Sequence, residues 1–267
     1  MKYRELGKTG EKVSAIGFGC MPISSIYGEA DDAESMKILY HTLELGINLW
    51  DTADIYGVDH SNEILVGKAL KGHRDQVFLA SKFGFVLNEG EHDGFMPNTT
   101  HLDCSPVYVK QACDESLKRL DVDHIDLYYA HRIDPTVPVE ETVGAMSELV
   151  REGKVRYIGL SECTLDDLQK AIKVFQITAV QSEFSLLSQQ HRAVMEFCKE
   201  NGIAFIPFAP LSRGLMTATL NADTLEANDF RRRLPRYQGE YLINNANLAK
   251  ELGTIAASKN CSAAQLA

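Results

Sequence analysis

Short apolar runs rich in β-branched and aromatic residues recur along the chain at 15–19, 46–50, 76–80, 125–130, 155–160, 178–181 and 203–208. Each has strand length and sits between turn-forming residues. Between these runs, apolar positions fall at helical spacing over 31–45, 61–71, 106–120, 139–152, 164–175, 190–201 and 241–258. Start and stop signals support this division. Ser105-Pro106 places a capping hydroxyl before a first-turn proline, Thr164 is followed three residues on by Asp167, and Gly46, Gly72, Gly153 and Gly202 stand where helices should end. Only the start departs from a one-strand, one-helix rhythm: Tyr3–Leu6 and Val13–Ser14 flank the polar stretch GKTGEK and predict a small hairpin. No repeat, linker or low-complexity tract interrupts the alternation, so one domain over 1–267 is expected. A βα alternation this long permits a closed (β/α)8 TIM barrel or an open doubly wound sheet.

Composition narrows the class. The chain has 267 residues, 45% of them hydrophobic and 24% charged, enough for a sizeable core. No apolar window is long enough to cross a membrane, and the first residues have neither a signal-peptide nor a transit-peptide pattern, so a cytoplasmic protein is expected. The six cysteines lie far apart with no CxxC, as suits free thiols in a reducing compartment. The eight histidines are scattered without HxH or HExxH, and no metal site is predicted. A net charge of −10 opposes nucleic acid or an anionic membrane as partner. The single basic cluster, Arg231-Arg232-Arg233, is read as a solvated loop face.

The two candidate architectures would hold a nucleotide differently. GFGCMP at 17–22 opens like a dinucleotide fingerprint, but Pro22 stands where a third glycine belongs and no helix follows the second, so the Rossmann reading fails. In a barrel the chemistry lies at the C-terminal ends of the strands. There the chain places Asp51 with Tyr56 just beyond, then Ser81-Lys82, His131, Ser161-Glu162, Gln181 and Phe208. Singly each has an ordinary explanation: a turn for Asp51, a snorkelling chain for Lys82, a structural imidazole for His131. Recurrence at one rim is what a barrel active site requires. Reducing a carbonyl needs a proton donor, which Tyr56 can be if Lys82 lowers its pKa and Asp51 holds the lysine; His131 would orient and polarise the carbonyl.

Six stretches at consistent spacing, DTADIYG, ASKFG, SLKRLDVDHIDLYYAHRID, GKVRYIGLSE, AVQSEFSL and PFAPLSRGLMT, resemble the aldo-keto reductases, in particular their bacterial and plant branch of aldehyde and ketone reductases with an auxin-induced-protein-like sequence. The resemblance runs from the first hairpin to the last residue. It implies a TIM barrel using NADP(H) without a Rossmann fold, with Asp51, Tyr56, Lys82 and His131 as catalytic tetrad and Tyr56 as general acid. It further implies that Ser161 and Gln181 hold the nicotinamide carboxamide and that Phe208 stacks on its ring. Gly19, Cys20, Met21, Asp51, Glu162 and the loop Leu211-Ser212-Arg213-Gly214 would complete the cofactor contacts. Glu162 stands where many members have Asn, and Phe208 where a Tyr is common. The chain also ends at SAAQLA, before an eighth strand and final helix, and the expectation is that 1–267 is part of a longer natural chain.

The segment from Phe83 to Ser105, carrying Phe83, Phe85, Phe95 and Met96, reads either as a mobile wall favouring carbonyl substrates with apolar or aromatic parts or, given Asn88 to Gly94, as an exposed disordered insertion. Cys20 and Cys163 are expected to pack rather than react, and Asp54 to serve as a turn or cap residue. Two other functions stay open: a Schiff-base lyase or aldolase with Lys82 as nucleophile, and a nucleotide-binding regulatory subunit with little turnover. The residues do not distinguish monomer from homo-oligomer.

Overall fold

A computed structural model describes residues 1–86, 101–220, 225–227 and 229–267. The hairpin is present: β1 (Tyr3–Glu5) pairs antiparallel with β2 (Lys12–Ser14), Tyr3 facing Ser14. The main sheet has seven strands in the order β11-β10-β9-β8-β5-β4-β3. These are β3 (Phe18–Gly19), β4 (Leu49–Asp51), β5 (Phe78–Phe83), β8 (Ile125–Ala130), β9 (Val155–Ser161), β10 (Ala179–Glu183) and β11 (Ala204–Phe208). Every register described within this sheet is parallel, which is why β5 and β8 are buried along their whole length and read as unbroken apolar runs. The α/β class expected from the sequence is the class found.

Helices separate the strands of the main sheet: α1 (Asp32–Glu44), α2 (Ser61–Leu70), α3 (Pro106–Leu120), α4 (Val139–Arg151), α5 (Leu165–Val174) and α6 (Arg192–Asn201), while α7 (Gly239–Ser258) and α8 (Ala263–Leu266) follow β11. The predicted starts are real caps. The Ser105 hydroxyl accepts from the Tyr108 amide, and Thr164 with Asp167 forms a reciprocal capping box. The antiparallel pairing of β6 (Phe85–Val86) with β7 (His101–Leu102) was not foreseen. Asn88 to Gly94, Phe95 and Met96 of the segment read as a wall or an insertion lie outside the described residues.

The described residues divide into two compact units. The first comprises Met1–Ser25, Glu29–Gln181 and Ala193–Ile206. It holds two apolar cores, one built around Trp50, Phe83, Tyr128 and Met146, the other around Leu6, Leu49, Leu127 and Tyr129. All six cysteines are free, and Cys20 and Cys163 are fully buried, as expected of packing residues.

The second unit comprises Ile26–Gly28, Ser182–Arg192 and Pro207–Ala267, with Leu215, Met216, Leu225, Tyr237 and Ala249 as its core. Here the solvated-loop expectation needs correction. Arg231 is half-buried, ion-paired to Asp229 at 2.6 Å and stacked 4.9 Å from the Tyr27 ring centre. The guanidinium is held because Asp229 is itself buried and must be paired. Only Arg232 and Arg233 are exposed.

Candidate active site

Four of the predicted side chains come together at strand ends of the first unit. Asp51 closes β4, where it pairs in register with Ala80 and with Gly19. Lys82 lies on β5, whose burial on both faces leaves its ammonium no exposed surface. That charge is met by three acceptors: an ion pair with Asp51 Oδ1, the Thr52 carbonyl at 2.8 Å and the Tyr56 hydroxyl at 3.3 Å. His131 follows β8, tied by its amide to the Phe83 carbonyl at 2.8 Å. Its ring meets those of Tyr56 and Phe85 edge-on, with centroids 5.7 Å and 5.0 Å away.

Electrostatics set the protonation states. Burial by itself would lower the Lys82 pKa, but Asp51 and then Tyr56 overcome it, and the net shift is upward. Tyr56 departs from the sequence expectation of a lowered pKa. Burial of its hydroxyl outweighs the neighbouring Lys82 charge, so the phenol is raised and protonated at neutral pH. His131 is held well below the usual imidazole range, first by burial and then by the charges of Lys82 and Arg132. The site therefore carries a cationic lysine, a neutral phenol and a neutral imidazole.

The Aldo/keto reductase family model matches residues 15–267. The chain belongs to the aldo/keto reductase family. It is 40% identical over 98% of its length to "probable aldo-keto reductase 1" of Glycine max, covering 75% of that protein. It is 39% identical over 98% of its length to the aldo-keto reductase yakc [NADP(+)] of Schizosaccharomyces pombe, covering 77% of it. Among solved structures, the holo form of an aldo-keto reductase of Bacillus halodurans is similar at 36% identity and a TM-score of 0.73, over 83% of this chain and 70% of that one. A glycerol dehydrogenase of Gluconobacter oxydans, 24% identical, shares the fold with a TM-score of 0.86, over 98% of this chain and 80% of that one.

The residues that the resemblance assigns to cofactor contacts are described within each unit. In the first, a Cβ built on Gly19 meets no described atom within 4 Å, so the backbone there faces open space. Cys20 donates its amide to the Asp51 carbonyl at 2.7 Å, and Met21 opens a 3₁₀ turn running to Ser24. Ser161 is buried, and among the described residues its hydroxyl has no hydrogen-bond partner. Gln181 donates to the second Asp51 oxygen at 2.8 Å. Glu162 takes a left-handed φ of 54° and gives its amide to the Gln181 carbonyl at 3.0 Å. An open glycine and an orphaned buried hydroxyl fit a bound polar group. In the second unit Phe208 ends β11 half-buried, and its carbonyl accepts from the Phe184 amide. Arg213 and Gly214 both have positive φ in a turn begun at Leu211, whose carbonyl accepts the Gly214 amide at 3.0 Å. Arg213 also bonds the Tyr27 hydroxyl at 3.2 Å.

Two features were not read from the sequence. Asp54 lies in a turn, as expected, but its carboxyl is sealed from solvent instead of capping a helix, with one oxygen unpartnered among the described residues. Burial, followed by the charge of Glu63, raises its pKa well above the carboxylate range. Asn62 lies on the buried face of α2 with Leu65, Val66 and Ala69, a helical spacing that marks an inward polar residue.

Proposed function

We propose that this protein reduces aldehydes and ketones to alcohols with NADPH, Tyr56 acting as general acid. The observation that carries the proposal is a fully buried Lys82 held by Asp51 and directed at the Tyr56 hydroxyl. NADPH supplies the hydride. Tyr56 donates its proton to the oxygen of the substrate as negative charge develops there. The tyrosinate left behind faces the Lys82 ammonium; a pair of unit charges about 4 Å apart attract by about 4 kcal/mol at an effective dielectric of about 20. Asp51 keeps the ammonium in place, and neutral His131 orients the carbonyl. In the first unit Ser161 and Gln181 hold the nicotinamide carboxamide, while Gly19, Cys20, Met21 and Glu162 line the cofactor. NADP is favoured by the coenzyme in the name of the fission-yeast relative. Phe85, edge-on to His131, suits substrates with an aromatic or apolar part.

A Schiff-base role for Lys82 is disfavoured, since an amine needs to lose its proton to attack and this one is held protonated by three acceptors. NADPH carrying deuterium at the transferable position, mixed with an aromatic aldehyde, tests the proposal. Deuterium on the carbinol carbon of the product is expected. No coenzyme oxidation with any aldehyde or ketone, or borohydride trapping of substrate on Lys82, would contradict it.

A further inference from the structure

Asn62 makes contacts that no tetrad residue makes. It is 1% exposed, and its amide is engaged on both sides. The Nδ2 group donates to the Cys20 carbonyl at 2.7 Å and to the Ser24 hydroxyl, while Oδ1 accepts from the Thr52 hydroxyl at 2.6 Å. Its backbone amide also donates to the Tyr56 carbonyl, at 3.2 Å. A carboxamide offers two donor hydrogens and an acceptor oxygen at fixed angles. No other side chain of its size supplies both, so the set of partners is specific to Asn.

Those partners belong to three segments with different tasks. Cys20 and Ser24 bound the turn after β3, which the proposed function assigns to the cofactor. Thr52 follows Asp51, and its own carbonyl is one of the three acceptors on the Lys82 ammonium. Tyr56 is the proposed proton donor. A fourth link closes the ring: the Cys20 amide donates to the Asp51 carbonyl at 2.7 Å. Shifting the Asn62 amide therefore moves the cofactor turn and the lysine's carbonyl partner together. Close packing reinforces this, because a Cβ on Gly57, which has a φ of +77°, would lie 3.2 Å from Ser24 Cβ and 2.2 Å from Ser61 Oγ.

We propose that Asn62 is a positioning residue that locks the cofactor turn to the catalytic lysine and tyrosine, so that coenzyme binding and proton transfer depend on one amide. This rests on the reductase reading above. The test compares wild type with Asn62→Ala and with Thr52→Val, which keeps its volume and loses only the bond to Oδ1. Thr142→Val serves as control; it removes a buried bond of the same kind, from Thr142 of α4 to the Cys104 carbonyl at 2.9 Å, in which no tetrad residue takes part.

For Asn62→Ala, NADPH dissociation constant and kcat should each worsen about tenfold or more, the scale on which small misplacements act. Thr52→Val should shift both in the same direction by less. Thr142→Val should melt earlier with both constants unchanged. If Asn62→Ala does not fold, Thr52→Val still decides the matter. Variants that only melt earlier, with wild-type affinity and kcat per folded molecule, overturn the inference and leave the reductase reading standing. A wild type that neither binds nor oxidises NADPH overturns that reading, and the inference with it.

Discussion

At the scale of single residues, Asp54 is where charge and burial conflict most. Its carboxyl has no solvent and faces Glu63, whose own oxygens are taken by Ser81 and Arg119 at 2.6 Å and 2.7 Å. Asp54 therefore holds its proton to a higher pH than an ordinary carboxyl does. A folded pKa above the unfolded value of about 3.9 means that folding takes up a proton, so stability falls as pH rises from about 4 upward. Asp54→Asn should therefore stabilise the protein at pH 7 and much less at pH 4; urea midpoints at the two values measure this, and an equal difference at both would contradict it. His131 has the opposite sign: its lowered pKa makes the fold lose stability as pH drops below about 6.5. Asp51, Tyr56, Lys82 and His131 were legible because a strand end announces itself in the apolar pattern. The raised pKa of Asp54 was not, since besides burial it reflects the charges of Glu63 on α2 and of Arg119 on α3.

At the scale of elements, close approach decides two positions. A Cβ on Gly67 of α2 would lie 2.6 Å from the Leu120 carbonyl oxygen at the end of α3. Alanine gains about 1 kcal/mol of helix propensity over glycine, but overpacking against backbone typically loses about 1–3 kcal/mol. Gly67→Ala should therefore lower the melting temperature, and a rise would show that α2 can move away from α3. Gly159→Ala should be worse, as its Cβ would meet the Tyr129 ring at 2.5 Å and the Ala179 carbonyl at 2.7 Å; a soluble variant with wild-type melting would contradict this packing.

Element positions followed from periodicity, and their ends moved for local reasons. The run at 15–19 shortens to Phe18–Gly19 because the Ala15 amide bonds Lys2 and the Ile16 carbonyl accepts from Ser14, both within the hairpin's reach. The run at 46–50 shifts to Leu49–Asp51 because Gly46 and Ile47 give their amides to Leu43 and Thr42, ending α1. The β6–β7 pair is too short to leave a period in the sequence.

At the scale of the molecule, a ligand that binds only the folded chain must raise its stability, by about 2.7 kcal/mol at a hundred times the dissociation constant. Saturating NADPH should raise the melting temperature; an unchanged midpoint at every coenzyme concentration would count against cofactor binding. Catalysis makes a narrower demand, that one phenol supplies the proton while binding is left alone. Steady-state oxidation of NADPH with an aromatic aldehyde, compared between wild type and Tyr56→Phe, tests that demand most directly. A fall in kcat of about 10²- to 10⁴-fold with NADPH affinity retained is the predicted result, and comparable turnover by the Phe variant would remove Tyr56 from the mechanism.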